Sequence, residues 1–171
     1  PNMRFNDGRT DRQGRFWVSS MVRDMAAASS AGALFRLANG RFEATSVTGL
    51  RTGNGLAFSP DGRVMYLSDS HPTVQKVWAF DLTDEGLPTR QRLFVDMTAM
   101  PGRPDGAAVD ADGGYWICGN DAGLVHRFTP DGRLDRSLHV PAAKPAMCAF
   151  GGARLDRLYV TTIAPAAPVA G

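Results

Sequence analysis

Short stretches rich in β-branched, aromatic and other apolar residues recur along the chain, each closed by glycine, proline, asparagine or aspartate. Residues 33–37, 41–47, 56–58, 64–67, 76–82, 92–96, 124–128 and 133–140 have this character, with partial alternation of apolar and polar positions. The punctuation between them is hairpin chemistry. Asn39-Gly40 suits a two-residue turn with positive φ at both positions. In Ser59-Pro60-Asp61-Gly62 the proline presets one φ, and the glycine tolerates the positive φ that follows. No segment carries a helical period with caps. Residues 22–31 come nearest, but their serines and alanines lack an apolar stripe and read as a loop. The pattern predicts an all-β chain built of hairpins.

The hairpins repeat with a longer period. Asn6, Asn54, Asp105 and Cys148 each open a unit in which an aromatic residue follows eleven or twelve positions later, at Trp17, Tyr66, Trp116 and Tyr159. These openers lie 48, 51 and 43 residues apart, and each unit offers four strands in two hairpins. That is the sequence signature of a β-propeller, in which roughly four to eight blades of about 40–50 residues close a ring. Four openers predict three full blades and the inner strands of a fourth. The expectation is a single partial propeller domain over residues 1–171, with no sealing strand in the terminal Pro168-Val169-Ala170-Gly171.

Composition narrows the partners. With 43% hydrophobic and 21% charged residues, the chain is ordinary globular material with enough length for a core. Its net charge of +2 comes from 19 basic and 17 acidic residues scattered along the chain. No basic stripe marks a nucleic-acid surface, and no apolar run approaches the roughly 20 residues of a membrane span. Nucleic acid and membrane are therefore set aside, and a cytoplasmic location is expected. Cys118 and Cys148 sit in strand-like sequence outside any CxxC motif and read as buried free thiols. His71, His126 and His139 share no spacing and read as surface or structural residues. Asp110-Ala111-Asp112-Gly113 begins like an EF-hand loop but lacks the closing glutamate and helices, so it reads as a hairpin turn.

The openers are the candidate chemistry. The innermost strand of each blade lines the central channel, so Asn6, Asn54 and Asp105 are expected to converge on one mouth. Three oxygen-bearing side chains in one funnel suit a hard cation. The alternative is that each merely forms an Asx-turn with nearby backbone N–H groups. Arg4, two residues before Asn6, would stand beside the funnel, either as a surface charge or as a hold on an anionic or polyhydroxyl ligand.

Four ordered motifs carry a resemblance: Arg4-Phe5-Asn6-Asp7-Gly8 with Trp17; Asn54-Gly55-Leu56 with Ser59-Pro60-Asp61, Tyr66 and Asp69-Ser70; Pro104-Asp105-Gly106 with Asp110, Gly113 and Trp116; and Cys148 with Gly151-Gly152 and Leu158-Tyr159-Val160-Thr161. Over nearly the whole chain they resemble the regucalcin/gluconolactonase (senescence marker protein) family, six-bladed propellers that bind a divalent metal and hydrolyse sugar lactones. The resemblance implies Asn54 and Asp105 as metal ligands, Asp105 also as catalytic acid/base, and Arg4 and Asn6 as substrate contacts. It implies one divalent ion (calcium first, then zinc, manganese, magnesium or iron) and a small sugar lactone as substrate. The family's remaining metal ligand, a glutamate, is expected on a blade preceding Pro1. The chain departs from the family at residues 22–31, which lack a glutamate that some members present to substrate, and at Ala146-Met147, where a Thr-Ser-like pair is usual. A calcium-binding propeller without turnover, and a scaffold propeller without metal, remain the other two readings.

Overall fold

The computed structural model describes residues 2–164, so residues 165–171, with the Pro168–Gly171 end, lie outside the described part. The turn chemistry sets the architecture. Gly14, Gly40, Gly62, Gly86, Gly113, Gly132 and Gly152, one in each connection at one end of the hairpins, all take positive φ. Between the turns run β1 (Met3–Thr10), β2 (Phe16–Val22), β3 (Gly32–Ala38), β4 (Arg41–Leu50), β5 (Gly53–Phe58), β6 (Val64–Asp69) and β7 (Lys76–Leu82). They are followed by β8 (Pro88–Asp96), β9 (Arg103–Val109), β10 (Tyr115–Asn120), β11 (Leu124–Phe128), β12 (Leu134–His139), β13 (Pro145–Gly151) and β14 (Arg157–Thr162). Among the described residues the one helical element is a single 3-10 turn, Met25–Ala27, inside the expected loop. Among the described residues no helix is long and apolar enough to cross a membrane.

The strands form three four-stranded antiparallel meanders, β1–β4, β5–β8 and β9–β12, and the two-stranded beginning of a fourth, β13–β14. The innermost strands β1, β5, β9 and β13 pack side by side in that order. This is the all-β propeller arrangement, with three complete blades and the inner hairpin of another.

The repeated aromatics occupy matching registers. Trp17 pairs with Arg9, Tyr66 with Ala57 and Trp116 with Ala108, each three residues beyond an opener. They fill successive inter-blade cores. Trp17 lies with Leu34, Leu56, Met65 and Leu67 between the first and second blades. Tyr66 lies with Val77, Tyr115 and Phe128 between the second and third. Trp116 packs on Cys118, Val125 and Cys148 between the third and fourth. Alternate residues of β5 feed different cores, Leu56 and Phe58 one and Ala57 the other, so this strand is buried on both faces. That is why its sequence reads as a continuous apolar run rather than an alternation.

Two expectations need correction. The openers do not precede their strands; Asn6, Asn54 and Asp105 lie inside β1, β5 and β9. The fourth opener is Ala146 rather than Cys148. Tyr159 pairs with Ala149, so the residue three positions earlier is Ala146, and Pro145 faces Thr162 as Pro104 faces Gly119. The connection is no longer than in the other blades, but Tyr159 stands two residues past the closing pair Gly151–Arg157, where Trp116 stands one past Val109–Tyr115, and this shifted the count from the aromatic.

Candidate functional site

Each innermost strand carries a bulge close to its opener. The register slips between Phe5 and Gly8 in β1, and between Asn54 and Ala57 in β5. It slips again between Pro104 and Ala107 in β9, opposite Gly119 and Ile117, and between Pro145 and Met147 in β13. A bulge re-aims the side chains beside it. Here it frees the openers from the strict in-and-out alternation and lets Asn6 meet Asn54 across two blades. Gly55 takes a φ of 59° at the second bulge, and its carbonyl accepts a 2.7 Å hydrogen bond from the Tyr115 hydroxyl of the next blade.

Asn6 and Asn54 meet directly: Asn6 Nδ2 donates to Asn54 Oδ1 at 3.1 Å and to the Gly53 carbonyl at 2.9 Å. Asn54, only 7% exposed, donates through Nδ2 to Ser70 Oγ at 2.8 Å. Arg4 is exposed beside them, its Nη1 donating to Asn6 Oδ1 at 2.8 Å and to the Phe5 carbonyl at 3.0 Å. Asp105 holds the matching place in β9, half-buried, where its Oδ2 accepts from Asn120 Nδ2 at 2.7 Å. None of the three openers spends its side chain on an Asx-turn. That task falls to aspartates at the far ends of the hairpins. Asp11 accepts from the Gln13 and Arg15 backbone N–H groups, and Asp110 from those of Asp112 and Gly114. In the same way the indole N–H groups of Trp17 and Trp116 donate to Asp11 and Asp110.

Burial dominates the electrostatics of the mouth. It pushes the Asp105 carboxyl up to about 6, against the opposing hydrogen bond from Asn120 and the charge of Arg103. Arg103 itself is turned to Asp121, at 2.8 Å. Asp7, directly after Asn6, is likewise pushed up to about 6 by burial, although the Leu56 N–H donates to its Oδ2 at 2.8 Å.

Four polar side chains at this site were given no role by the sequence: Asp7, Asp69 and Ser70, which stand in its motifs, and Asn120, which does not. Ser70 and Asn120 are equivalent, Ser70 directly after β6 and Asn120 the last residue of β10, each four residues beyond its blade's aromatic and each bonded to the opener of that blade. Their spacing from the openers, 16 and 15 residues, was the signal available. Asp69 is 2% exposed and gathers three backbone N–H groups, those of Arg51, Thr52 and His71, at 2.7–3.0 Å. Two of the histidines are structural. His126 is 1% exposed and bonded to Ser137 Oγ and the Pro101 carbonyl. His71 is 6% exposed and bonded to Thr73 and Met25, and His139 is exposed. Cys118 and Cys148 are buried free thiols; a hydrogen bond with Cys148, joined by burial, pushes the Cys118 thiol well up. Among the described residues, no three His, Cys, Asp or Glu side chains come together as a metal-binding group.

Comparison with known proteins gives this geometry its relatives. The SMP-30/Gluconolactonase/LRE-like region matches residues 1–164. The 6-deoxy-6-sulfogluconolactonase of Pseudomonas putida is 40% identical over 163 residues, covering 93% of this chain and 54% of that protein. The pentonolactonase of Haloferax volcanii is 35% identical over 159 residues, covering 93% and 53%. Among solved structures, the calcium-binding protein regucalcin from Agrobacterium tumefaciens superposes with a TM-score of 0.86 at 32% identity, over 94% of this chain and 54% of that one. The chain thus spans about half the length of the relatives it matches. With the match running through every described blade, the chain belongs to the SMP-30/gluconolactonase/LRE-like family.

Proposed function

We propose that the protein carrying this chain hydrolyses a sugar lactone at the mouth lined by Asn6, Asn54 and Asp105, with a divalent cation held by Asn54 and Asp105. The observation that carries the reading is the Asn6–Asn54 hydrogen bond across two blades, with Asp105 at the same register on the next. The lactonase names of the relatives support the substrate class.

The donors fit a hard cation. They are oxygens, and one of them belongs to a carboxylate that burial pushes up to about 6. Its one side-chain hydrogen-bond donor among the described residues is Asn120, so a positive charge at Asp105 would relieve the cost of keeping it ionised. Calcium is the first candidate, with zinc, manganese, magnesium or iron as alternatives. Further ligands, a glutamate on a preceding blade among them, belong to the proposal.

A bound divalent cation supplies Lewis acidity toward the lactone carbonyl. Asn6 and Arg4 bind the sugar hydroxyls, Asn6 accepting at Oδ1, since both protons of its Nδ2 are taken by Asn54 and Gly53, and Arg4 donating from its guanidinium, which aligns the ester bond. Asp105 takes a proton at its carboxylate as water adds to the carbonyl carbon, and returns it to the ring oxygen when the C–O bond breaks. Asn120 holds Asp105 Oδ2, which leaves Oδ1 turned to the chemistry. Ser70 does the same for Asn54.

Asp105→Asn tests the reading, because it nearly preserves shape while removing the charge and the base. Lactone turnover followed by pH-stat is expected to fall at least about 100-fold. Retention of more than a tenth of the parent rate, with metal loaded, would place the chemistry elsewhere. The likeness to a calcium-binding regucalcin favours one second reading, metal binding without turnover. Metal uptake with no hydrolysis across a panel of sugar lactones would select it.

A further inference from the structure

We propose that His71 is a positioning residue that pins the Met25–Ala27 turn beside the mouth, so that substrate affinity depends on a hydrogen-bond relay running from Arg51 to Met25. The proposal rests on the lactone-hydrolase reading for its kinetic consequence, but its structural basis is independent of that reading.

The relay has one consistent direction. His71 Nε2 lies 3.2 Å from the Met25 carbonyl oxygen, which can only accept, so Nε2 carries the proton. On the other side of the ring, the Thr73 backbone N–H donates to Nδ1 at 3.3 Å, so Nδ1 is the bare acceptor. The Thr73 hydroxyl, 2.8 Å away, then donates to Nδ1 as well. That hydroxyl in turn accepts from Arg51 Nη1. Arg51 Nε donates to Ser30 Oγ at 3.4 Å, at the far end of the same loop. Residues 23–31 are therefore held at both ends, at Met25 through His71 and at Ser30 through Arg51.

The anchor is rigid and joined to the site. Asp69 accepts the backbone N–H groups of both Arg51 and His71, fixing the two arms relative to each other. Ser70, immediately before His71, holds Asn54. One peptide link thus separates the group that orients Asn54 from the group that holds the turn. The turn itself cannot keep its place by packing, since Met25, Ala26 and Ala27 are all exposed. It is closed by Ala28 in the left-handed region at φ 45°, a conformation that a non-glycine residue holds at a cost. The hydrogen bonds from the neighbouring blade supply the restraint that burial does not.

The experiment compares the parent chain with His71→Ala and His71→Gln by amide hydrogen exchange and by steady-state kinetics on a sugar lactone. Gln keeps a donor that can reach the Met25 carbonyl. In His71→Ala, exchange across residues 25–30 is expected to quicken about fivefold, the scale of one net hydrogen bond, while β6 exchanges as in the parent. KM is expected to rise by about the same factor with kcat held within about twofold, and His71→Gln is expected to restore both readouts. Unchanged exchange at 25–30 in His71→Ala, or a fall in kcat with KM unmoved, would overturn the proposal. If His71→Ala loosens β6 as well, the Gln variant decides: parent-like protection at 25–30 supports the relay, and lost protection over an intact β6 refutes it. Absence of lactone turnover in the parent would refute the functional reading alone, because the exchange measurements still decide the relay.

Discussion

Gly55 is the position where the bulge, the inter-blade contact and the candidate site bear on one atom. Its φ of 59° lies in the left-handed region, and a Cβ placed there would stand 2.5 Å from Tyr115 Oη, 2.6 Å from Ser68 Oγ and 3.1 Å from Ile117 Cδ1. Gly55→Ala should cost about 1–2 kcal/mol for the backbone conformation. Crowding in a packed core adds about 1–3 kcal/mol, for a total of about 2–5 kcal/mol, a large fraction of ordinary domain stability. The backbone part cannot be relieved by a neighbour, but part of the crowding can. Tyr115→Phe deletes the nearest obstructing atom, at the expense of the 2.7 Å hydrogen bond to the Gly55 carbonyl, worth about 1 kcal/mol net. A double-mutant cycle should therefore show favourable coupling of about 1–2 kcal/mol, with Gly55→Ala less harmful when residue 115 is Phe. Urea denaturation followed by the fluorescence of buried Trp17 provides the assay, with unchanged m-values as the check on two-state behaviour. A single mutant within about 0.5 kcal/mol of the parent, or strictly additive costs, would refute the argument that this bulge is locked from the neighbouring blade.

Two further expectations concern buried carboxylates. Burial raises the folded Asp7 carboxyl to about 6 from an ordinary 3.8, so between those values the folded chain holds a proton that the unfolded chain has released. Stability should then decline as pH rises from about 4 to 6, by up to about 3 kcal/mol. Asp7→Asn should remove that part of the slope in denaturation curves recorded across the window with chelator present; an undiminished slope would assign it to other groups. Asp110 has the opposite sign, since hydrogen bonds from Arg127, Trp116 and Gly114 outweigh burial and hold its carboxyl below the ordinary value. Asp110→Asn turns a donor toward two donors and should cost about 2–4 kcal/mol at pH 7. That cost should begin to shrink as pH falls below about 4, where the carboxylate of the unfolded chain protonates, and shrink further as the folded carboxylate, held lower, protonates in turn; a cost independent of pH would mean that shape, not charge, was lost.

The hairpins were legible because their turns are chemically explicit. Asn39-Gly40 and Ser59-Pro60-Asp61-Gly62 announce where the chain reverses, and β7 and β11 fall on residues 76–82 and 124–128 as read. The bulges were not legible. In β5 both faces are buried, so one extra residue leaves the run of apolar side chains looking the same. The count to Tyr159 failed for a related reason: its aromatic sits one position further past the closing pair than Trp116 does, which changes spacing without changing composition, and Ala146 offers no polar flag at the opener register. The openers themselves were visible as a recurring polar residue. Their partners were not, because Asn6 meets Asn54 across 48 positions and His71 meets Met25 across 46. Such pairs exist only once the blades are stacked.

The recurrence of the bulge in β13, where the opener register holds Ala146, separates two properties that are usually entangled in binding sites. The strand keeps its irregularity and its pairing although the side chain there has no polar atom. In each of the four described blades the bulge thus serves as a socket, and what fills the socket is a separate choice. A ring built this way carries as many equivalent sockets as blades, all aimed at one axis. New combinations of donors around that axis can then arise by single substitutions that leave the sheets intact, so a repeated architecture can change its chemistry without being refolded.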